Sequence, residues 1–456
     1  MTGMLTRFLP VRAAGVFMHY DLIIRHGICV FAWGEASADL GIKNGRIESL
    51  SVAAGDTADH VIDAKGLHVL PGMIDAHVHL RDPGDPEVES VATGTKAAAL
   101  GGITTVLDMP NTAPPITSSA ALAAKRRTIA EKSFVDMGQY VGATRENTPE
   151  LARLELESGV CAIKVFAGSS TGDLMIEDDA GIEAVLRSGH RRVAFHSEDE
   201  YRLQERRPQF EVGQDYVNHM HWRDAETAFR GTRRIVALSR KTGRPVHILH
   251  TSTSEELAYL KEHRDVATVE VLVNHLTQYA PECYERLGGL AVMNPPIRDK
   301  QHHDASWEAV RDGRVDVVSS DHAPHSLEAK CRPWLQCASG LTGVQTILPL
   351  MLDHVNAGRL SLSRLTDVMS SGPARVYGVP DKGRIAVGYD ADFSLVDMRR
   401  KRTITNDWIA TPVGWSPFDG VTVTGWPTAT IVRGHVVMQD DEIREGPKGR
   451  LVHFLP

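Results

Sequence analysis

The stretch Pro71–Gly84, PGMIDAHVHLRDPG, constrains the fold more than any other part of the chain. It continues the apolar run His68–Val69–Leu70 through Met73–Ile74, then ends in charge and imidazole. A buried strand emptying into a polar loop suits a parallel α/β sheet, whose sites lie at the carboxyl ends of the strands. His77 and His79 are two residues apart, so an extended backbone points both to one face. Imidazoles converging beyond a strand end can hold a metal ion, although a solvent-facing pair has the same spacing.

Downstream, apolar runs alternate with amphipathic segments. The runs are 69–75, Ile103–Met109, Phe134–Val141, Ala162–Phe166, Arg192–Phe195, Pro245–Leu249, Ala267–Val273 and Val315–Ser319. Helix-like stretches between them include Glu87–Leu100, Ser118–Glu131 and Ala225–Leu238. Eight strands with intervening helices predict a (β/α)8 TIM-like barrel. A doubly wound sheet is the alternative, but no Gly-rich nucleotide fingerprint follows the first strand. Both ends of the chain are β-rich, with a hairpin signal at Asn44–Gly45 and strand-like runs after Gly383. The predicted division is an extension over 1–20, a small β-sandwich domain from 21–70 plus 383–456, and a barrel over 71–382. Within the barrel, the segment 327–342 reads as a mobile loop.

Polar residues gather at the carboxyl ends of these runs. The first gives His77 and His79, the fifth His196, the sixth His250, and the eighth Asp321 and His325, while Lys164 sits within the fourth. Each has an ordinary explanation alone: a core histidine on a carbonyl, a paired lysine, an N-cap aspartate. Their shared position on different strands points instead to one site. Four imidazoles and one carboxylate can hold two divalent cations if something bridges them. A lysine ammonium cannot ligate. Lys164 is therefore either outside the site or converted by carbon dioxide to a carbamate, an anionic oxygen ligand.

Composition narrows the partners. With 50 Lys and Arg against 58 Asp and Glu, the chain carries a net charge of −8 and no broad footprint for nucleic acid. The basic run Arg399–Arg402 reads as a solvated face. Five scattered cysteines argue against a disulfide framework and for a reducing compartment, the cytoplasm by default. Cys331 and Cys337 lie close together without a second pair to complete a zinc site. No run reaches the length of a membrane span.

PGMIDAHVHLRDPG, AIKVFAGSSTG, AFHSEDE, HILHTST, MNPPIRD and SSDHAPH resemble the cyclic amidohydrolases of the amidohydrolase superfamily, most closely its dihydroorotase branch. The resemblance spans nearly the whole chain, including KGRIAVGYDADF. It implies one metal on His77, His79, carboxylated Lys164 and Asp321, and a second on Lys164, His196 and His250, usually zinc. It also implies Asp321 as the proton shuttle and a homo-oligomer, dimer or tetramer. The motifs HVHLR and MPNT narrow the substrate, because a guanidinium binds a carboxylate through paired hydrogen bonds. Arg81, Asn111 and His325 would clamp the carboxylate of L-dihydroorotate, and Asn294 would contact its ring. The implied reaction is reversible hydrolysis to N-carbamoyl-L-aspartate. Arg81 bridging to Asp82 is the local alternative. Allantoinase or hydantoinase activity, or a non-catalytic partner of aspartate transcarbamoylase, are the alternatives for the whole chain. Asn274–His275 departs from the Thr-Pro-His-His-Leu run of many relatives and leaves that pocket wall open to question.

Overall fold

The structure, a computed structural model, describes residues 17–169, 174–210 and 215–456. The first described strand, β1 (His19–Phe31), begins two residues before Asp21, because Tyr20 is buried and registers with Ala58. Residues 1–16 of the expected extension lie outside the described residues. One edge of β1 pairs antiparallel with β2 (Gly34–Lys43), which continues to β3 (Arg46–Ser49). Its other edge pairs parallel with β4 (Thr57–Asp63), then with β5 (His68–Pro71). An irregularity between Ile24 and Gly27, with His26 at φ 61°, divides those two pairings.

The chain then passes straight from one sheet to another. The apolar run read as a single strand is two: β5 ends at Pro71, and β6 (Met73–Val78) opens the barrel. Gly72 is the crossing point. Its N–H donates to Asp392 O, and a Cβ there would lie 2.4 Å from Thr104 Oγ1 and 2.5 Å from Asp392 Cβ. Only glycine fits so close an approach.

The barrel continues through β7 (Ile103–Asp108), β8 (Asp136–Gly142), β9 (Val160–Phe166) and β10 (Val193–His196). It is completed by β11 (Val246–Ile248), β12 (Ala267–Leu272) and β13 (Val317–Ser319). These eight strands pair in chain order, all parallel, and residues on both faces are buried, as a barrel wrapped by helices requires. Closure is made by a single Val78–His322 bridge and by His79 N–H donating to His322 O at 2.7 Å. Asp75 reinforces the seam by accepting from the backbone and hydroxyl of Ser320. The helix Ala225–Thr242 illustrates the outer layer: Asp224 caps its start, Ile235 and Val236 face inward, and Gly243 at φ 75° ends it.

After the barrel, β14 (Phe393–Thr403) returns to pair with β5, followed by β15 (Thr422–Val432), β16 (His435–Gln439) and β17 (Glu442–Ile443). Strands from both chain ends thus form one sheet around a core including Leu22, Ile42, Val69, Phe393 and Ile431.

Candidate active site

The ends of β6, β9, β10, β11 and β13 point His77, His79, Lys164, His196, His250 and Asp321 into one pocket. Asp321 Oδ1 lies 3.2 Å from His77 Nε2 and 3.1 Å from His79 Nε2. His196 Nδ1 and His250 Nε2 are 3.0 Å apart, and the His77 ring centroid lies 5.4 Å from that of His250. His250 and Asp321 hold φ of 38° and 49°, in the left-handed region that side chains seldom adopt. Such strain, on the order of 1–3 kcal/mol each, collects where function needs a side chain aimed.

The proton positions explain what this cluster can hold. Buried Glu270 takes the Nδ1 proton of His77 at 2.8 Å, and Asn111 Oδ1 takes that of His79 at 2.7 Å. With Nδ1 so engaged, each ring turns its Nε2 towards Asp321. Burial pushes His79 down to about 4, so it stays neutral near pH 7, while His77 and His79 outweigh burial and hold Asp321 below the ordinary carboxylate range. Two imidazole nitrogens and a carboxylate oxygen within 4.8 Å of one another form a donor set that a divalent cation can occupy. The same logic recurs at His196, whose Nε2 lies 3.0 Å from Glu198 and whose Nδ1 is turned to His250. Glu198 is in turn gripped by buried Arg223, with Nη2–Oε2 at 2.6 Å. The donor set fits divalent metal ions.

Lys164 is fully enclosed, its Nζ 4.6 Å from the centroid of Phe166. Burial pushes its amine down to about 7, despite Asp321 and Glu270. Arg81 is buried beside the strand-eight loop, with Nη2 3.3 Å from Pro324 O and 3.4 Å from His325 Nε2. Among the described residues no carboxylate forms an ion pair with it; Asp82 lies near Lys132 instead, at 4.0 Å. Asn294 and Arg81 line the pocket together with Ser339 and Gly340, and His325 Nε2 also reaches Ser339 O at 3.2 Å. Ser170–Gly172 of the AIKVFAGSSTG motif lie outside the described residues.

The departure at strand seven proves to be supporting structure. Asn274 donates to Ser320 O at 3.2 Å, next to Asp321, and His275 Nε2 donates to Pro295 O at 3.2 Å. Glu270, Glu198, Arg223 and Asp75 were not singled out from the sequence. The available signal was a lone acid inside the apolar run of β12 and an acid two residues after His196. A larger cleft of about 650 Å³ lies on the end sheet, but its charged groups are engaged locally: Arg433 with Asp136, Arg444 with Glu442, His435 with Glu445.

A parallel barrel with histidines, an aspartate and a lysine converging at its carboxyl-terminal mouth is the architecture of a metal-dependent hydrolase. The Amidohydrolase family profile matches residues 68–437, and the chain belongs to that family, as a metal-dependent cyclic amidohydrolase. A dihydroorotase from Methanothermobacter thermautotrophicus is 33% identical over 418 residues, 92% of this chain and 94% of that protein. An allantoinase from Deinococcus radiodurans is 34% identical over 449 residues, 95% and 99% of the two. The solved L-hydantoinase (dihydropyrimidinase) from Arthrobacter aurescens superposes with a TM-score of 0.91 at 29% identity, covering 95% of this chain and 99% of that one.

Proposed function

We propose that this chain is a dihydroorotase, reversibly hydrolysing the cyclic amide of L-dihydroorotate to N-carbamoyl-L-aspartate. The observation that carries the reading is Arg81, a buried guanidinium lining the pocket with no carboxylate in ion-pair contact among the described residues, the carboxylates that act on it, Asp321 first, standing further off. A desolvated cation in that position is answered by an anionic substrate, and dihydroorotate carries a carboxylate where uncharged cyclic amides do not. Several dihydroorotases among its relatives support the same reading.

In this reading His77, His79, Lys164, His196, His250 and Asp321 hold two divalent cations, with zinc as the metal and Lys164 as the bridging carbamate. A buried amine brought to about 7 is available in its neutral form, the form that adds carbon dioxide. Divalent cations held by these residues would supply a low-pKa water and polarise the amide carbonyl. Asp321 takes the proton released in the attack and returns it to the departing ring nitrogen. Arg81, with His325 beside it, would seat the carboxylate together with Asn111, which holds His79, and Asn294 would meet the ring. We extend the reading to a homo-oligomer and a cytoplasmic location, which sedimentation and cell fractionation test, and to the division of 21–70 plus 383–456 from 71–382, with Pro71 moved to the end sheet.

The deciding experiment is metal analysis of purified protein combined with assays on dihydroorotate, allantoin and hydantoin. Turnover of dihydroorotate well above the other two is expected. Preference for an uncharged ring would overturn the assignment in favour of an allantoinase or hydantoinase.

A further inference from the structure

His219 belongs to none of the motifs discussed above, yet it touches a residue facing the pocket. It lies in the short helix Asn218–Trp222, is 3% exposed, and packs edge-on against Trp222 and Trp334 with centroid separations of 6.1 and 6.3 Å. Its Nε2 is 3.0 Å from Met293 O and 2.9 Å from Asn294 Oδ1.

Those two contacts fix a proton and then an amide. A backbone carbonyl can only accept, so Nε2 must carry hydrogen. The Asn294 atom facing that N–H must then be Oδ1, which leaves the Nδ2 hydrogens turned away from His219. The conclusion holds whether the ring is neutral or charged, because Nε2 is protonated in both forms. On the other side of Asn294, His275 Nε2 holds Pro295 O, so the segment Met293–Pro295 is pinned from both flanks.

We infer that His219 is a positioning residue: it orients the Asn294 amide so that this pocket wall presents a hydrogen-bond donor and selects a carbonyl oxygen of the cyclic substrate. The inference rests on Asn294 meeting the ring, as proposed above. Rotation of the amide would present an acceptor to that carbonyl and replace attraction with repulsion. The two indoles prevent the ring from swinging away from Asn294.

The test uses the metal-loaded enzyme carrying His219→Leu, His219→Gln, Asn294→Ala and the double change His219→Leu with Asn294→Ala. His219→Leu should raise KM for dihydroorotate roughly tenfold, the effect of a lost buried hydrogen bond, with kcat less affected and metal content unchanged. Glutamine places an amide nitrogen close to where Nε2 stood, so His219→Gln should recover most of the loss. The double variant should be no worse than Asn294→Ala alone. Additive losses, or failure of glutamine to rescue, would overturn the inference. Nitrogen-15 spectra of the histidine rings give a readout independent of substrate. His219 should remain Nε2-protonated from about pH 5 to 8. An Nδ1-protonated ring in the unaltered protein would sink the proposal, even if the His219→Leu variant failed to fold. Should the wild type ignore dihydroorotate, the substrate reading falls, while these spectra still decide the amide orientation.

Discussion

Arg81 and Lys164 are both buried cations at the pocket, and they make opposite demands. The Arg81 guanidinium cannot shed its charge, so it must be answered by an anion. Arg81→Met should lower kcat/KM for dihydroorotate by at least tenfold to a hundredfold, with metal content unchanged and any uncharged cyclic amide little affected. Arg81→Lys should recover only part, because the planar fork is lost. Equal losses on charged and uncharged substrates would assign Arg81 to the fold instead. Lys164 can shed its charge, and burial favours that. Lys164→Ala should abolish turnover and reduce bound metal, and added short carboxylic acids should restore part of the rate. Retained metal and activity would remove Lys164 from the centre. His77, His79, His196, His250 and Asp321 were legible because strand-end position is visible in sequence. Glu270 and Glu198 were not, because an acid near an apolar run reads equally well as a paired interior charge. Nothing local to Glu270 marks His77, on a distant strand, as its target.

Elements differ in how openly the chain displays them. The barrel strands are continuous apolar runs separated by amphipathic segments, so their number and order were readable; the run 69–75 divides between the two sheets, and the others shift only at their ends by a few residues. The end sheet was harder, because β5 must find β14, in which Phe393 registers with Pro71 across most of the chain. No local pattern encodes that register. Loop 327–342, read from sequence as mobile, carries a buried brace. The buried Lys330 ammonium reaches Val292 O, Ala338 O and Gly340 O at 2.7, 2.7 and 2.9 Å. It ties the loop carrying Ser339 to the segment leading into Asn294. Lys330→Met keeps the length and leaves three carbonyls unanswered, each costing roughly 1–3 kcal/mol if it stays buried. The expected outcome is faster proteolytic cleavage within 327–342 and a raised KM, with metal content preserved. Unchanged cleavage would show that apolar packing alone holds the loop.

At the scale of the whole molecule, barrel and end sheet are joined by a buried ion network. Lys382 Nζ lies 2.7 Å from Asp136 on β8, 3.0 Å from Asp390 and 2.5 Å from Asp392, and Arg433 also binds Asp136. Three carboxylates in such a cluster suggest a metal site, but the lysine nitrogen already stands among them. Burial would raise Asp136, yet Lys382 and Arg433 outweigh it and hold the carboxyl below its usual range. Burial would likewise lower Lys382, but the three carboxylates raise it instead. The signs follow by linkage. Asp136 adds stability above its unfolded pKa of about 3.9, lost as pH falls through the lower folded value. Lys382 adds stability below its unfolded pKa of about 10.4, lost as pH rises through the higher folded value. Asp392, raised by burial and neighbouring carboxylates despite Lys382, runs the other way and blunts the acid limb. Lys382→Met removes the central cation and strands buried negative charge, which costs about 3–5 kcal/mol. Denaturant unfolding should show that loss in full near neutral pH. It should shrink as pH falls towards about 4, where protonation relieves the carboxylates that the lysine no longer neutralises. A loss that stayed constant between neutral pH and about pH 4 would mean that Lys382 acts through its methylene packing, and that the two sheets are held together without the charges.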